Sequence, residues 1–186
     1  MNKDFKEFLG IIIIIALIFI ATGSISNFTS SKVNGESVDN FKIYSRDINT
    51  DEEVIVETFG FDSLVQTVDE RLRVIAQKLS EKEFNSLPIE LVEIKNIDGK
   101  KVAIFNLKEN EENLSETDWS KYKNPSWANN FFQGSAGGSW TCYTLQTTML
   151  QPDYDGEWID GVSFLYNGEE NKCFQHIEGL DSIKYS

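Results

Sequence analysis

The run GSAGGSW at residues 134–140 holds a serine, Ser139, just before Trp140, where a helix-forming segment begins. A hydroxyl at the start of a helix can act as a nucleophile, because the helix dipole and nearby backbone N–H groups favour developing negative charge. It needs a base. His176 is the only histidine in the chain, so Ser139 and His176 define one candidate chemistry, that of an exported hydrolase. The other reading is that Gly134, Ser135 and their neighbours shape the entry to a helix. A second cluster lies at Asp153, Asp155, Glu157 and Asp160, around Gly156. Carboxylates that close together suit a hard cation such as calcium, which needs six or more oxygens. Counted from Asp153, however, the sixth position is no glycine and the twelfth no acid, so the spacing fails the EF-hand pattern. An acidic solvated turn is the simpler reading, and neither a metal nor a cofactor is expected.

The run at 134–140 resembles the loop around a papain-type nucleophile, with Ser139 in the place of the cysteine. Serine lacks the readily formed thiolate, and only 47 residues come after it, far fewer than that fold uses to bring up its histidine. Binding is therefore the leading expectation for Gly134, Ser135, Ser139 and Trp140, and with them for Asp153, Asp155, Glu157 and Asp160.

These residues need elements to hold them. Cys142, Leu145 and Met149 recur at helical spacing and Pro152 stops their continuation, which predicts a buried helix of about three turns. Val162, Phe164 and Tyr166 then alternate as in a strand. Asn167-Gly168 supplies a tight reversal, and residues 172–177 read as the returning strand, with His176 in phase with Phe174. On that reading Cys142 and Cys173 face each other across one core layer. A disulfide would close a loop of about 30 residues and contribute about 3–4 kcal/mol, and two buried free thiols are the alternative.

Further upstream, Phe41, Ile43 and then residues 54–56 with Phe59 read as a hairpin around the acidic run DINTDEE. Ser63 and Gln66 have capping-box spacing. Leu64, Val68, Leu72, Ile75 and Leu79 recur at helical spacing, with Glu70, Arg71, Arg73 and Lys78 on the solvated face. Asp98-Gly99 between two apolar runs predicts a second hairpin with a type I′ turn. Residues 108–130 lose all periodicity, carry Glu109, Glu111, Glu112, Glu116 and Asp118, and intersperse Trp119, Tyr122 and Trp127. That is a long loop of the kind that often carries function. The fold class is α/β in the broad sense (α+β): a small mixed sheet built from hairpins with two packing helices.

Residues 8–22 are almost wholly apolar, between a signal-peptide core and a full membrane span in length. They predict an uncleaved signal anchor, with a cleaved signal peptide as the alternative. Either device exports the rest of the chain. Residues 1–23 form this segment, 24–40 a polar linker, and 41–186 the globular domain. The formal net charge is −13, and Lys3 and Lys6 cancel Asp4 and Glu7, so the excess sits on the exported part. Such acidity disfavours binding to nucleic acid or to an anionic bilayer by charge.

The order of elements, together with Ile43-Tyr44, the helix over 64–79, Leu87-Pro88, Asp98-Gly99, Phe105-Asn106-Leu107, Gly134-Ser135, Thr144-Leu145 and VSFL at 162–165 with Gly168 and His176, resembles the GerMN domain of sporulation and spore germination proteins. The likeness spans residues 40–180. It implies a domain at the outer face of a Gram-positive membrane, serving the envelope or sporulation by binding a cell-envelope protein or a peptidoglycan component. It supplies no catalytic residue.

Overall fold

The computed structural model describes residues 40–47, 49–61, 65, 67–170 and 174–186, all within the compact unit Val38–Ser186. Phe41 and Ile43, alternating on β1 (Phe41–Arg46), are fully buried, while Lys42 between them is not. The chain reverses at Asp47, whose Oδ1 accepts from the backbone N–H groups of Asn49 (2.8 Å) and Thr50 (3.0 Å), and returns as antiparallel β2 (Glu53–Phe59).

Helix α1 (Val68–Glu83) buries Leu72, Ile75 and Leu79, the predicted stripe. Its capping box is formed by Thr67 and Glu70. Glu70 N–H donates to Thr67 Oγ1 (3.2 Å) and Thr67 N–H to Glu70 Oε2 (3.0 Å). The expected Ser63–Gln66 box and Leu64 lie outside the described residues. Arg71 departs from the expected solvated face. Its guanidinium lies over the rings of Phe41 (5.7 Å) and Phe61 (5.5 Å) and donates to the Tyr154 hydroxyl (3.0 Å), because those rings extend the core past the end of the apolar stripe.

β3 (Ile89–Ile97) and β4 (Lys100–Leu107) pair antiparallel about Asp98 and Gly99, both at positive φ (51° and 82°), as a type I′ turn requires. From β4 the chain crosses through the long loop and α2 (Ser135–Leu150) to β5 (Gly161–Tyr166), which lies parallel to β4. The loop is ordered by a 3-10 turn (Trp119–Lys121) and a π-helical turn (Trp127–Phe131) that buries Trp127 completely.

The fold is mixed α+β, with two sheets among the described residues where one was expected: the β1–β2 pair, and a second sheet in the order β3-β4-β5-β6, in which β6 is Glu169–Glu170, with β7 (Lys184–Tyr185) also on β5. The returning strand is the main departure. Among the described residues only β6 pairs back after the Asn167-Gly168 turn, and Gln175–Leu180 is a 3-10 helix. Ile177 and Leu180, three apart, are its buried residues. A spacing of three suits a three-residue turn, not a strand.

Candidate functional site

Helix α2 is longer than its apolar spacing implied, at 16 residues or just over four turns, and its first turn is the glycine-serine run itself. It ends where Gln151 turns left-handed (φ 48°), one residue before Pro152. One face lies along the outer edge of β1. Trp140 Nε1 donates to Ser45 Oγ (3.1 Å) and Arg46 O (3.0 Å). Thr148 Oγ1 accepts from Tyr44 N–H (3.0 Å) and donates to Tyr44 O (3.1 Å). Gln151 does the same for Lys42, accepting at Oε1 (2.9 Å) and donating from Nε2 (2.7 Å). Helix side chains thus take the place of a neighbouring strand.

Another face of α2 meets the 3-10 segment Gln175–Leu180. A Cβ on Gly138 would fall 2.1 Å from the carbonyl oxygen of His176, so only glycine permits this approach. Gln146 Nε2 donates to Gly179 O (2.6 Å), and the Cys142 side chain lies beside Gly179. Burial pushes the Cys142 thiol up to about 11. Among the described residues Cys142 forms no disulfide, and Cys173, its expected partner, lies outside them.

Between the start of α2 and the β1–β2 hairpin opens a groove of about 510 Å³. Phe131, Gly137 and Trp140 line it on the helix side and Val54 and Val56 on the strand side, with Arg46, Asp47 and Glu83 also at its walls. Trp140 and Phe131 stack at 6.2 Å. A smaller depression of about 190 Å³ adjoins it, bounded by Arg46, Asp47, Asp51, Ala136, Ser139 and Trp140. Arg46 lies 4.1 Å from the centre of the Tyr143 ring and pairs with Asp51 at 3.3 Å.

The predicted residues therefore fall into two groups at opposite ends of α2, about 24 Å apart. Gly134, Ser135, Ser139 and Trp140 lie at its start, where Trp140 lines the groove and Ser139 the adjoining depression, whereas Ser135 faces the 3-10 segment. Asp153, Asp155, Glu157 and Asp160 come after its end and do not converge on a cation. Asp153 Oδ2 accepts from Lys42 Nζ (2.6 Å) and the Tyr44 hydroxyl (3.0 Å), and the Lys42 ammonium holds its carboxyl below the usual range. Glu157 pairs with Lys101 Nζ, and Asp160 Oδ2 accepts from Lys101 N–H (2.7 Å). No group of three or more His, Cys, Asp and Glu among the described residues could hold a metal ion. Lys42 and Lys101, on separate strands, pair with two of the four acids and draw them apart.

Ser139 does not meet His176 either. The exposed Ser135 hydroxyl is the one that faces His176 Nδ1, at 3.5 Å, because His176 lies over the Gly138 side of the helix. Two features lay beyond sequence reading. Glu109, one of five acids in the long loop, is buried. The run Val54-Ile55-Val56 is exposed on β2, its one sequence signal being three consecutive apolar residues where alternation was expected.

Comparison with protein-family models, with curated proteins and with solved structures finds no match to the chain. No helix among the described residues is long and apolar enough to cross a membrane, and the apolar stretch at 8–22 lies outside them.

Proposed function

We propose that the protein is a non-catalytic binding module of the bacterial cell envelope. Residues 1–23 hold it on the outer side of the membrane, and residues 24–40 space the domain from the anchor. The GerMN likeness implies this role in the envelope, in sporulation or in germination, and the apolar N-terminal stretch is what export requires.

The observation that carries the reading is the groove beside Trp140, where apolar side chains from α2 and β2 stay open to solvent beside a polar rim. Open apolar surface framed by polar groups is characteristic of recognition sites. The partner is a protein or peptidoglycan component of the envelope, and the domain's negative charge disfavours nucleic acid.

The test uses intact cells that carry the full chain. Added protease should remove the domain without cell breakage. A photo-crosslinking residue at Ser139 should trap an envelope component that the same residue at Lys95, exposed on β3, does not. Protection from protease until the cells are broken, or equal trapping from both positions, overturns the proposal.

A further inference from the structure

The β1–β2 sheet has two strands and therefore two outer edges. The β1 edge is closed by Trp140, Thr148 and Gln151. The β2 edge is not. Lys42 and Tyr44 direct their backbone groups to α2, so Phe41, Ile43 and Ser45 direct theirs to their register partners Phe59, Glu57 and Val54. That leaves Ile55 and Thr58 with N–H and C=O groups turned outward, and β2 has no other strand partner among the described residues. Beside them Val54, Ile55 and Val56 are 39%, 53% and 39% exposed, with no charge within the run. Val56 is the extra residue of a β-bulge between the Glu57 and Ile55 registers, and on either side of it the open, apolar strand edge is a template for another strand, since no charge or proline within the run blocks it.

The surrounding charge selects the occupant. Asp47, Asp51, Glu52 and Glu53 flank the open run, and Glu83 stands in the groove beneath it. Arg46, the cation of the groove wall, already pairs with Asp51. A second copy of this chain would bring the same acids against themselves, on top of a formal net charge of −13 for each molecule.

We infer that the free edge of β2 receives an extended segment of a partner polypeptide in which apolar and basic residues alternate. The segment adds a third strand to the β1–β2 sheet. Its apolar side chains cover Val54 and Val56, and its basic ones meet the acidic rim. This deepens the binding-module reading and rests on it.

The probe is an eight-residue peptide alternating valine and lysine, labelled for fluorescence anisotropy and titrated into the full chain in detergent micelles. Saturable binding is expected. It should weaken at least about tenfold when glutamate replaces lysine, when a central proline interrupts the peptide, and when the chain carries Ile55→Lys. Ile55 is half exposed, so the variant should retain its circular dichroism spectrum, and Val56→Lys provides a second variant. In NMR, contacts between probe protons and the Ile55 amide are expected. Equal binding of all three peptides, or no effect of either lysine variant, overturns the inference. So does a concentration-dependent dimer that Ile55→Lys abolishes, since the edge would then belong to a second copy. If these measurements fail while crosslinking from Ser139 in cells persists, strand addition falls and the binding module stands.

Discussion

Glu109 is 1% exposed and its partners are uncharged, yet its carboxylate is well provided for. Its Oε1 accepts from Ala128 N–H (2.9 Å), the Tyr166 hydroxyl (3.0 Å) and Ser126 Oγ (3.2 Å), and Asn113 Nδ2 approaches Oε2 at 3.4 Å. Burial, and then the charge of Glu109, push the Tyr166 hydroxyl up, so it stays a donor. This one side chain joins β5 to both ends of the long loop, and so fixes the π-helical turn that carries Phe131 into the groove. Glu109→Ala leaves the Ala128 amide and the Tyr166 hydroxyl without this acceptor and should cost about 2–4 kcal/mol. That is about 5–15 °C in melting temperature for a domain of this size. A melting temperature within about 1 °C of the parent protein would show that the loop is held by other contacts. Nothing in residues 108–130 marked Glu109 out from Glu111, Glu112 or Glu116. All four are acids in an aperiodic segment, and only the returning chain at 126–128 supplies the donors.

At the scale of elements, α2 both packs the core and completes a sheet. Leu145 and Met149 are fully buried, as their spacing required. Its polar stripe of Trp140, Thr148 and Gln151 bonds the backbone of β1, and that role was not legible, since threonine and glutamine in a helix ordinarily read as surface. A paired substitution separates the two roles. Thr148 Oγ1 bonds both backbone groups of Tyr44, whereas Thr144 Oγ1, equally buried, has no hydrogen-bond partner among the described residues. Valine has nearly the same shape as threonine. Thr148→Val should therefore destabilise by about 2–4 kcal/mol, and Thr144→Val should be neutral or stabilise by up to about 1 kcal/mol. Urea denaturation measures both, and equal effects would remove the strand-substitute role from Thr148. The hairpin at Asp98-Gly99 and helix α1 were legible because a turn dipeptide and an apolar stripe of three- and four-residue steps each carry their own geometry. The segment after Glu170 was not, because one histidine, one phenylalanine and one isoleucine fit a strand and a 3-10 helix alike.

Across the whole molecule, acidity is managed in pairs. The carboxyls of Glu57, Glu112, Asp153 and Glu157 are held below their ordinary range by Lys78, Lys123, Lys42 and Lys101 respectively. That of Asp47 is lowered by the backbone N–H of Asn49, and that of Asp118 by Ser120. A folded carboxyl with a depressed pKa contributes stability that is fully present above its unfolded value of about 4 and is lost as pH falls through the folded one. Melting temperature should therefore hold from about pH 7 to about pH 5 and fall below about pH 4. Calorimetry that finds the loss already complete at about pH 5.5 would contradict this. Most of these pairs are solvent-exposed, so the fall should shrink at high salt.

By itself the sequence determined what is local: two hairpins, one amphipathic helix and one buried one, an acidic composition and an apolar stretch at 8–22, each written in the types and spacing of neighbouring residues. Only the tertiary structure decided that Ser139 shares a depression with Arg46 and not with His176, that Asp153 and Glu157 pair with lysines, and that α2 covers the outer edge of β1 while no strand among the described residues pairs that of β2. Each of these depends on which distant backbone lies within about 3 Å of a side chain, and no local period encodes that distance.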